Sequence, residues 1–153
     1  MDKEKMFENY KMAKMNFQML EAYLEGVTIK KYEDILKGDY NNEISFGIRT
    51  DKKSDNEYKG FLKTTVLCKN DDTDEVELHI EVIYSGLFKT NEQLEDAQME
   101  EWVEAQLVPQ LLSYSRSIIT HLTSFMTIPP ILLPTMDVIE SLNHNDHLNN
   151  DEE

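Results

Sequence analysis

Along residues 75–84 apolar and polar side chains alternate without a break: Val76, Leu78, Ile80, Val82 and Tyr84 share one face, Glu75, Glu77, His79 and Glu81 the other. A period of two is that of a strand with a dry side and a wet side. Weaker versions precede it. Residues 17–29 are rich in strand formers, broken at Gly26 as a bulge or bend would break them. After a loop-like stretch with Gly38, Asp39, Asn41 and Asn42, alternate positions are held by Ile44, Phe46 and Ile48, and residues 58–68 form a third run beyond a polar turn at 51–56. Asn70-Asp71-Asp72-Thr73-Asp74 is a further turn. Four successive strands joined by short polar turns predict an antiparallel meander with one solvated face.

After Phe88 the period lengthens. Thr90-Asn91-Glu92-Gln93 has the form of a capping box with Thr90 as N-cap, and Glu92, Glu95 and Asp96 suit the positive end of a helix. Pro109 is expected to kink or divide that helix. Leu111, Tyr114, Ile118, Leu122 and Phe125 recur at intervals of three and four, and Leu112, Ile119 and Met126 widen the stripe. So broad a stripe needs two covering surfaces: the sheet, and a second subunit meeting Leu111, Ile118, Leu122 and Phe125. Pro129, Pro130 and Pro134 then stop any continuous helix, and residues 137–142 leave room for a short one. At the other end, Met6, Phe7, Tyr10 and Ala13 have helix-like spacing that fits a short amphipathic helix or a frayed arm. The expected organisation is an N-terminal arm (1–16), one α+β domain (17–142) and a disordered acidic tail (143–153).

Charge narrows the partners. The chain has 153 residues and a net charge of -15; residues 1–69 carry 13 Lys and Arg against 12 acids, residues 70–153 two bases against 18 acids. That surface repels phosphate backbones, so no nucleic acid is expected, and it favours basic partners. No apolar run approaches the ~20 residues that span a bilayer, so no membrane insertion is expected. Met1-Asp2-Lys3-Glu4-Lys5 opens no secretory signal, and a single cysteine, Cys68, suits a reducing compartment; a cytoplasmic protein is expected.

Candidate chemistry falls away on inspection. Cys68 and His79 are expected on opposite sides of their hairpin, with Cys68 opposite Val76 and His79 near Thr65, which denies the thiol its base. His144 and His147, with Asp146 and Asp151, sit in an Asn-rich tail that fixes no metal geometry. Glu100, Glu101 and Glu104 read as a solvated helix face, and no phosphate-binding loop or hydrolase elbow occurs. Neither catalytic residue, metal nor cofactor is expected. What a small core leaves over is the apolar pair Leu87 and Phe88, expected where the chain quits the last strand, and Ile128, Ile131, Leu132, Leu133 and Met136 on a proline-stiffened backbone. Such a segment caps a core or borders a groove for extended polypeptides; eight methionines lean toward the groove, but the residues by themselves favour the cap.

Three motifs stand in order: Tyr84-Ser85-Gly86-Leu87-Phe88, then Tyr114-Ser115-Arg116 followed by Ile118-Ile119, then Ile128-Pro129-Pro130-Ile131-Leu132-Leu133-Pro134. This series resembles the SecB family of molecular chaperones. The resemblance implies a four-stranded antiparallel sheet with a long helix on one face, a homotetramer built as a dimer of dimers, and ATP-independent holding of unfolded, secretion-bound chains for the translocation motor SecA. It implies a client groove at Leu87, Phe88, Tyr114, Ile128, Pro129, Pro130, Ile131, Leu132, Leu133 and Met136. It also implies an acidic sheet face that docks the basic tail of SecA; Glu81 stands where the family carries one of its acids, and Glu75 and Glu77 alternate with it on the same strand. Gly26 and Lys30 depart from the family, standing where it carries the other docking carboxylates, and Phe125-Met126-Thr127 replaces its glycine turn; weak SecA docking is therefore expected. Three roles stay open: a general export chaperone, a SecB-like chaperone dedicated to one client such as the antitoxin of a toxin-antitoxin system, and an assembly protein on the same fold without holdase activity.

Overall fold

A computed structural model describes residues 3–32, 39–126, 128 and 130–133. The expected tail, Pro129, Pro134 and Met136 lie outside the described residues. Six elements follow one another: helix α1 (Lys3–Asn16), strands β1 (Phe17–Lys31), β2 (Tyr40–Ser54), β3 (Glu57–Asn70) and β4 (Val76–Thr90), and helix α2 (Asp96–Ser124). The N-terminal segment is thus helical, with Met6 buried and α1 packed against α2.

The sheet is antiparallel throughout, in the order β1-β4-β3-β2. This corrects the expected meander. Strands β2, β3 and β4 are consecutive hairpin neighbours, but β1 pairs with β4, from Phe17 opposite Thr90 to Lys31 opposite Leu78. The result is a Greek-key arrangement. Its cause is the composition of β4, whose apolar face is best buried at the centre of the sheet with a strand on each side. At the end of β1 Tyr32 N–H donates to Glu77 O at 2.9 Å, and just before β2 Asp39 O accepts from Asp71 N–H at 3.1 Å. Gly26 does sit at a bulge: β1 slips one residue between Leu24 and Gly26, leaving Glu25 unpaired. The turn expected over 51–56 shrinks to Asp55 and Asn56, because β2 pairs with β3 as far as Ser54.

The helix also begins later than expected. Thr90 remains in β4, donating its N–H to Asn56 O, and its Oγ1 accepts from Glu92 N–H in a short turn rather than capping a helix. Asp96 opens α2 instead. Its carboxylate receives Lys52 Nζ at 2.7 Å and the Tyr58 hydroxyl at 3.2 Å, which ties the first helical turn to β2 and β3 and places an acid at the positive helix end. The Lys52 bond holds the Asp96 carboxyl below its ordinary range. From there α2 continues as one helix through Pro109. Met99, Trp102, Val103, Leu107, Leu111 and Ile119 are buried against Tyr58, Leu62, Val66, Ile80, Val82 and Phe88 of the sheet.

Candidate polypeptide-binding surface

One helix cannot cover four strands. Helix α2 lies over β3 and β4 and meets β1 only at its margin. On β1, Leu24 and Val27 keep 46% and 38% of their surface exposed although their register partners, Tyr84 and Val82, are buried. The Tyr84 ring lies 5.5 Å, centroid to centroid, from Tyr114 of α2, and burial pushes the Tyr84 phenol above its ordinary value. Leu24, Tyr84 and Tyr114 therefore make a continuous apolar floor between the edge strand and the helix. Ile118 extends it one helical turn on, with Leu122 and Phe125 beyond. Ile118 and Leu122 are half-buried, and Phe125 is 74% exposed. Leu111, expected on the same outward stripe, is instead fully buried in the chain's own core.

The proline segment behaves as an extended chain, with neighbouring side chains on opposite sides. Ile131 and Leu133 are buried while Leu132 is 74% exposed and Pro130 also faces solvent. Two threonines strap it down. Thr123 Oγ1 accepts from Ile131 N–H at 2.9 Å and donates to Ile119 O at 2.8 Å, and Thr120 Oγ1 donates to Ile131 O at 3.0 Å. Both polar groups of the Ile131 backbone are thus satisfied by side chains. Ile131 and Leu133 cap the core, as the residues alone had favoured. At 3.6 residues per turn, Thr120 and Thr123 lie on the other flank of α2 from Tyr114 and Phe125. Thr123→Val, nearly equal in volume, strands the Ile131 N–H; we expect a loss of about 1–3 kcal/mol and faster hydrogen exchange at that amide, with Thr123→Ser restoring both.

The sequence-predicted groove is not one place. Phe88 lies fully buried inside β4, between Met19 and Tyr58, because β4 is paired on both sides through Thr90; Leu87 points to the opposite face. Tyr114 lines the furrow beside β1, whereas Ile131 and Leu133 cap the core across the helix and Ile128 is half-buried. Leu24, Val27, Thr120 and Thr123 were not singled out. A hint lay in Thr120 and Thr123, a polar pair at i,i+3 bordering the apolar stripe of α2.

Nor do Glu75, Glu77 and Glu81 form one acidic face. Glu75 is exposed at the turn. Glu77 falls where the register slips between Cys68 and Lys69, and its carboxylate is buried and accepts from Asn70 Nδ2 at 3.1 Å. Glu81 does face outward, 3.9 Å from Lys63 Nζ. Lys30 stands opposite His79, diagonal to Glu81, and Gly26 stands opposite Ile83. The bulge presents Glu25 beside Gly26, but Lys59 Nζ at 2.7 Å and the Ser85 hydroxyl occupy its carboxylate and hold it below the ordinary range.

The slip at Glu77 also moves the register to Cys68 opposite Leu78 and His79 opposite Leu67. The pair still points to opposite faces. Burial pushes the Cys68 thiol up to about 11, and it donates to Asn42 Oδ1 at 3.0 Å, so it is no nucleophile at neutral pH. Among the described residues no group of three or more His, Cys, Asp and Glu is placed to hold a metal ion, and no helix is long and apolar enough to cross a membrane.

This architecture has known counterparts. The solved structure of the Mycobacterium tuberculosis SecB-like chaperone, in complex with a ChAD peptide from the HigA1 antitoxin, is similar with a TM-score of 0.68 at 12% identity, over 86% of this chain and 99% of that one. A protein of unknown function from Streptococcus agalactiae is similar with a TM-score of 0.45 at 13% identity, over 78% of this chain and 97% of that one. No curated protein sequence matches the chain. The family model described as preprotein translocase subunit SecB matches residues 9–145, all four strands and the long helix included. The chain belongs to the SecB family.

Proposed function

We propose that this protein is an ATP-independent holdase that binds unfolded polypeptides along the furrow between β1 and α2. The observation that carries the proposal is the apolar floor of Leu24, Tyr84 and Tyr114 left open beside an edge strand. An extended client can add its backbone to the edge of β1 while alternate apolar side chains enter the furrow. The two bulges in β1, at Leu20 and Glu25, keep that edge from pairing over its whole length, which favours several short contacts. Such weak contacts gain through effective concentration when several chains assemble. The client's unfolded state is then favoured by mass action.

Export through the Sec pathway is the first role for this activity. The second is service to one client, and the antitoxin peptide bound by the Mycobacterium tuberculosis relative supports it. For SecA, the burial of Glu77 and the occupation of Glu25 by Lys59 leave little free carboxylate on this face to receive a basic tail, so weak docking remains our reading. The purified protein should suppress aggregation of denatured clients at stoichiometric amounts without nucleotide. Leu24→Glu with Val27→Glu should remove that suppression, since each places a charge on the floor. A nucleotide requirement, or failure with several unrelated clients and with any antitoxin encoded beside it, would sink the holdase reading; success with one client alone would select the dedicated role.

A further inference from the structure

On the side of the sheet away from α2 lies a depression of about 470 Å³. Phe61, Ile83 and Gly47 line its apolar part; Arg49, Lys63 and Glu25 supply the charges. A side chain on Gly47 would start against Lys63 Cε at 3.6 Å, so the glycine keeps the depression open beside that lysine. The Arg49 guanidinium stacks over the Phe61 ring at 4.3 Å, and Lys59 Nζ lies 5.0 Å from the same ring and 5.8 Å from that of Tyr23. The single lining carboxylate is consumed: Glu25 holds Lys59 at 2.7 Å and accepts from Ser85. The two lining cations are loosely held. Arg49 reaches Asp51 only at 3.5 Å and Lys63 reaches Glu81 only at 3.9 Å, in exposed pairs of the kind that contribute little. An incoming carboxylate can replace either partner at small cost.

Spacing identifies the shape of the ligand. Arg49 stands directly across from Phe61, and Lys63 follows Phe61 at the next position on the outward face of β3, so one cation lies beside the ring and another ~6.8 Å along, the repeat of one face of an extended chain. We propose that this face binds an extended acidic segment of a partner polypeptide, with an apolar side chain seated on Phe61 and Ile83 and flanking carboxylates on Arg49 and Lys63. At a net charge of -15 the chain as a whole repels such a partner, so attraction is confined to this patch. The surface is separate from the client furrow, and it reverses the polarity that a SecA tail would need.

Fluorescence anisotropy on the full chain tests this with two labelled eight-residue peptides that share alternate phenylalanines, one with glutamate and one with lysine between them. The glutamate peptide should bind about tenfold more tightly than the lysine peptide and weaken as salt rises. Lys63→Glu and the milder Arg49→Gln should each weaken it about fivefold or more. Lys5→Glu, which makes the same charge change as Lys63→Glu at an exposed position of α1, should leave it unchanged, and Leu24→Glu should remove only the part of the binding that enters the furrow, keeping the preference for glutamate over lysine. Equal or tighter binding of the lysine peptide would overturn the proposal. So would loss of glutamate-peptide binding in Leu24→Glu with none in Lys63→Glu, or equal loss in Lys5→Glu. Aggregation suppression is expected to be the same in Lys63→Glu as in the parent chain, so failure of this proposal leaves the holdase reading intact, and the converse.

Discussion

Replacing Gly60 with valine is expected to destabilise the fold by about 3 kcal/mol or more. Gly60 sits on the helix-facing side of β3, opposite Thr50 on one side and Gly86 on the other, at the point where α2 crosses. A Cβ built there lies 2.3 Å from Leu107 Cδ2 and 3.2 Å from Val103 Cγ1. Both residues are fully buried, so neither side chain can swing into solvent, and relief requires α2 to lift from the sheet. Lifting α2 also strains the Lys52–Asp96–Tyr58 contacts that fix its first turn. Gly60→Ala should cost less, about 1–3 kcal/mol. Gly26→Ala is the control: its Cβ meets nothing within 4 Å, and alanine there should be neutral or slightly stabilising. Urea midpoints of the three variants decide the matter. A Gly60→Val protein as stable as the parent would mean that α2 does not sit on β3 in this way. In a double-mutant cycle, Leu107→Ala should cost less in the Gly60→Ala background than in the parent, because the space it vacates takes up the added methyl.

How far the sequence was legible depended on the range of the interactions. Strand β4 was plain because Leu78, Ile80 and Val82 are buried on a single face. Its alternation reports local burial. The pairing of β1 with β4 was not plain, since hydrophobic alternation in residues 17–29 is the same whichever strand lies beside it. Thr90 to Gln93 matched a helix start by composition, yet pairing of Thr90 with Phe17 and its bond to Asn56 extended the strand instead. These are partners that no window of local sequence contains.

The surface readings failed for a related reason. Glu75, Glu77 and Glu81 alternate perfectly in the sequence, but one residue of slip at Glu77 turns it inward, and Glu81 meets Lys63 across the sheet. Charge on a sheet face is a property of four strands together, and counting one strand's acids overstates it. The end of α2 ahead of the proline segment was legible, because proline restricts the backbone whatever surrounds it. The segment's docking through Thr120 and Thr123 depends on how the chain folds back along α2, which no local pattern reports. Family resemblance carried the fold, since fold follows from order and pattern; the residue roles it implied depend in addition on where each side chain points, and Phe88 points into the core.

The outward stripe of α2 gives the other large expected effect, on assembly. We expect the protein to form a homo-oligomer, a tetramer at four times the 17.9 kDa chain mass, held through Ile118, Leu122 and Phe125. Phe125 is 74% exposed in the single chain, and Ile118 and Leu122 are half-buried, so association gains a part of the ~1.5–3 kcal/mol that full burial of an Ile, Leu or Phe is worth. A twofold contact uses the same patch on both partners, so each substitution counts twice. Ile118→Asp with Leu122→Asp should therefore remove about 6 kcal/mol or more from association, since four unpaired carboxylates would have to be desolvated in the contact as well, roughly four orders of magnitude in the equilibrium constant. The fold should survive, because both positions lie at the edge of the core, whereas Leu111→Asp, at a fully buried position, should unfold the chain. Light scattering at micromolar concentration reads the result directly. The parent chain should appear as an oligomer and the double variant at the mass of one chain, still unfolding cooperatively in urea at a lowered midpoint. A parent chain that runs as a stable monomer would refute the assembly and leave the stripe free as additional client surface, in which case the double variant should lose aggregation suppression at unchanged mass.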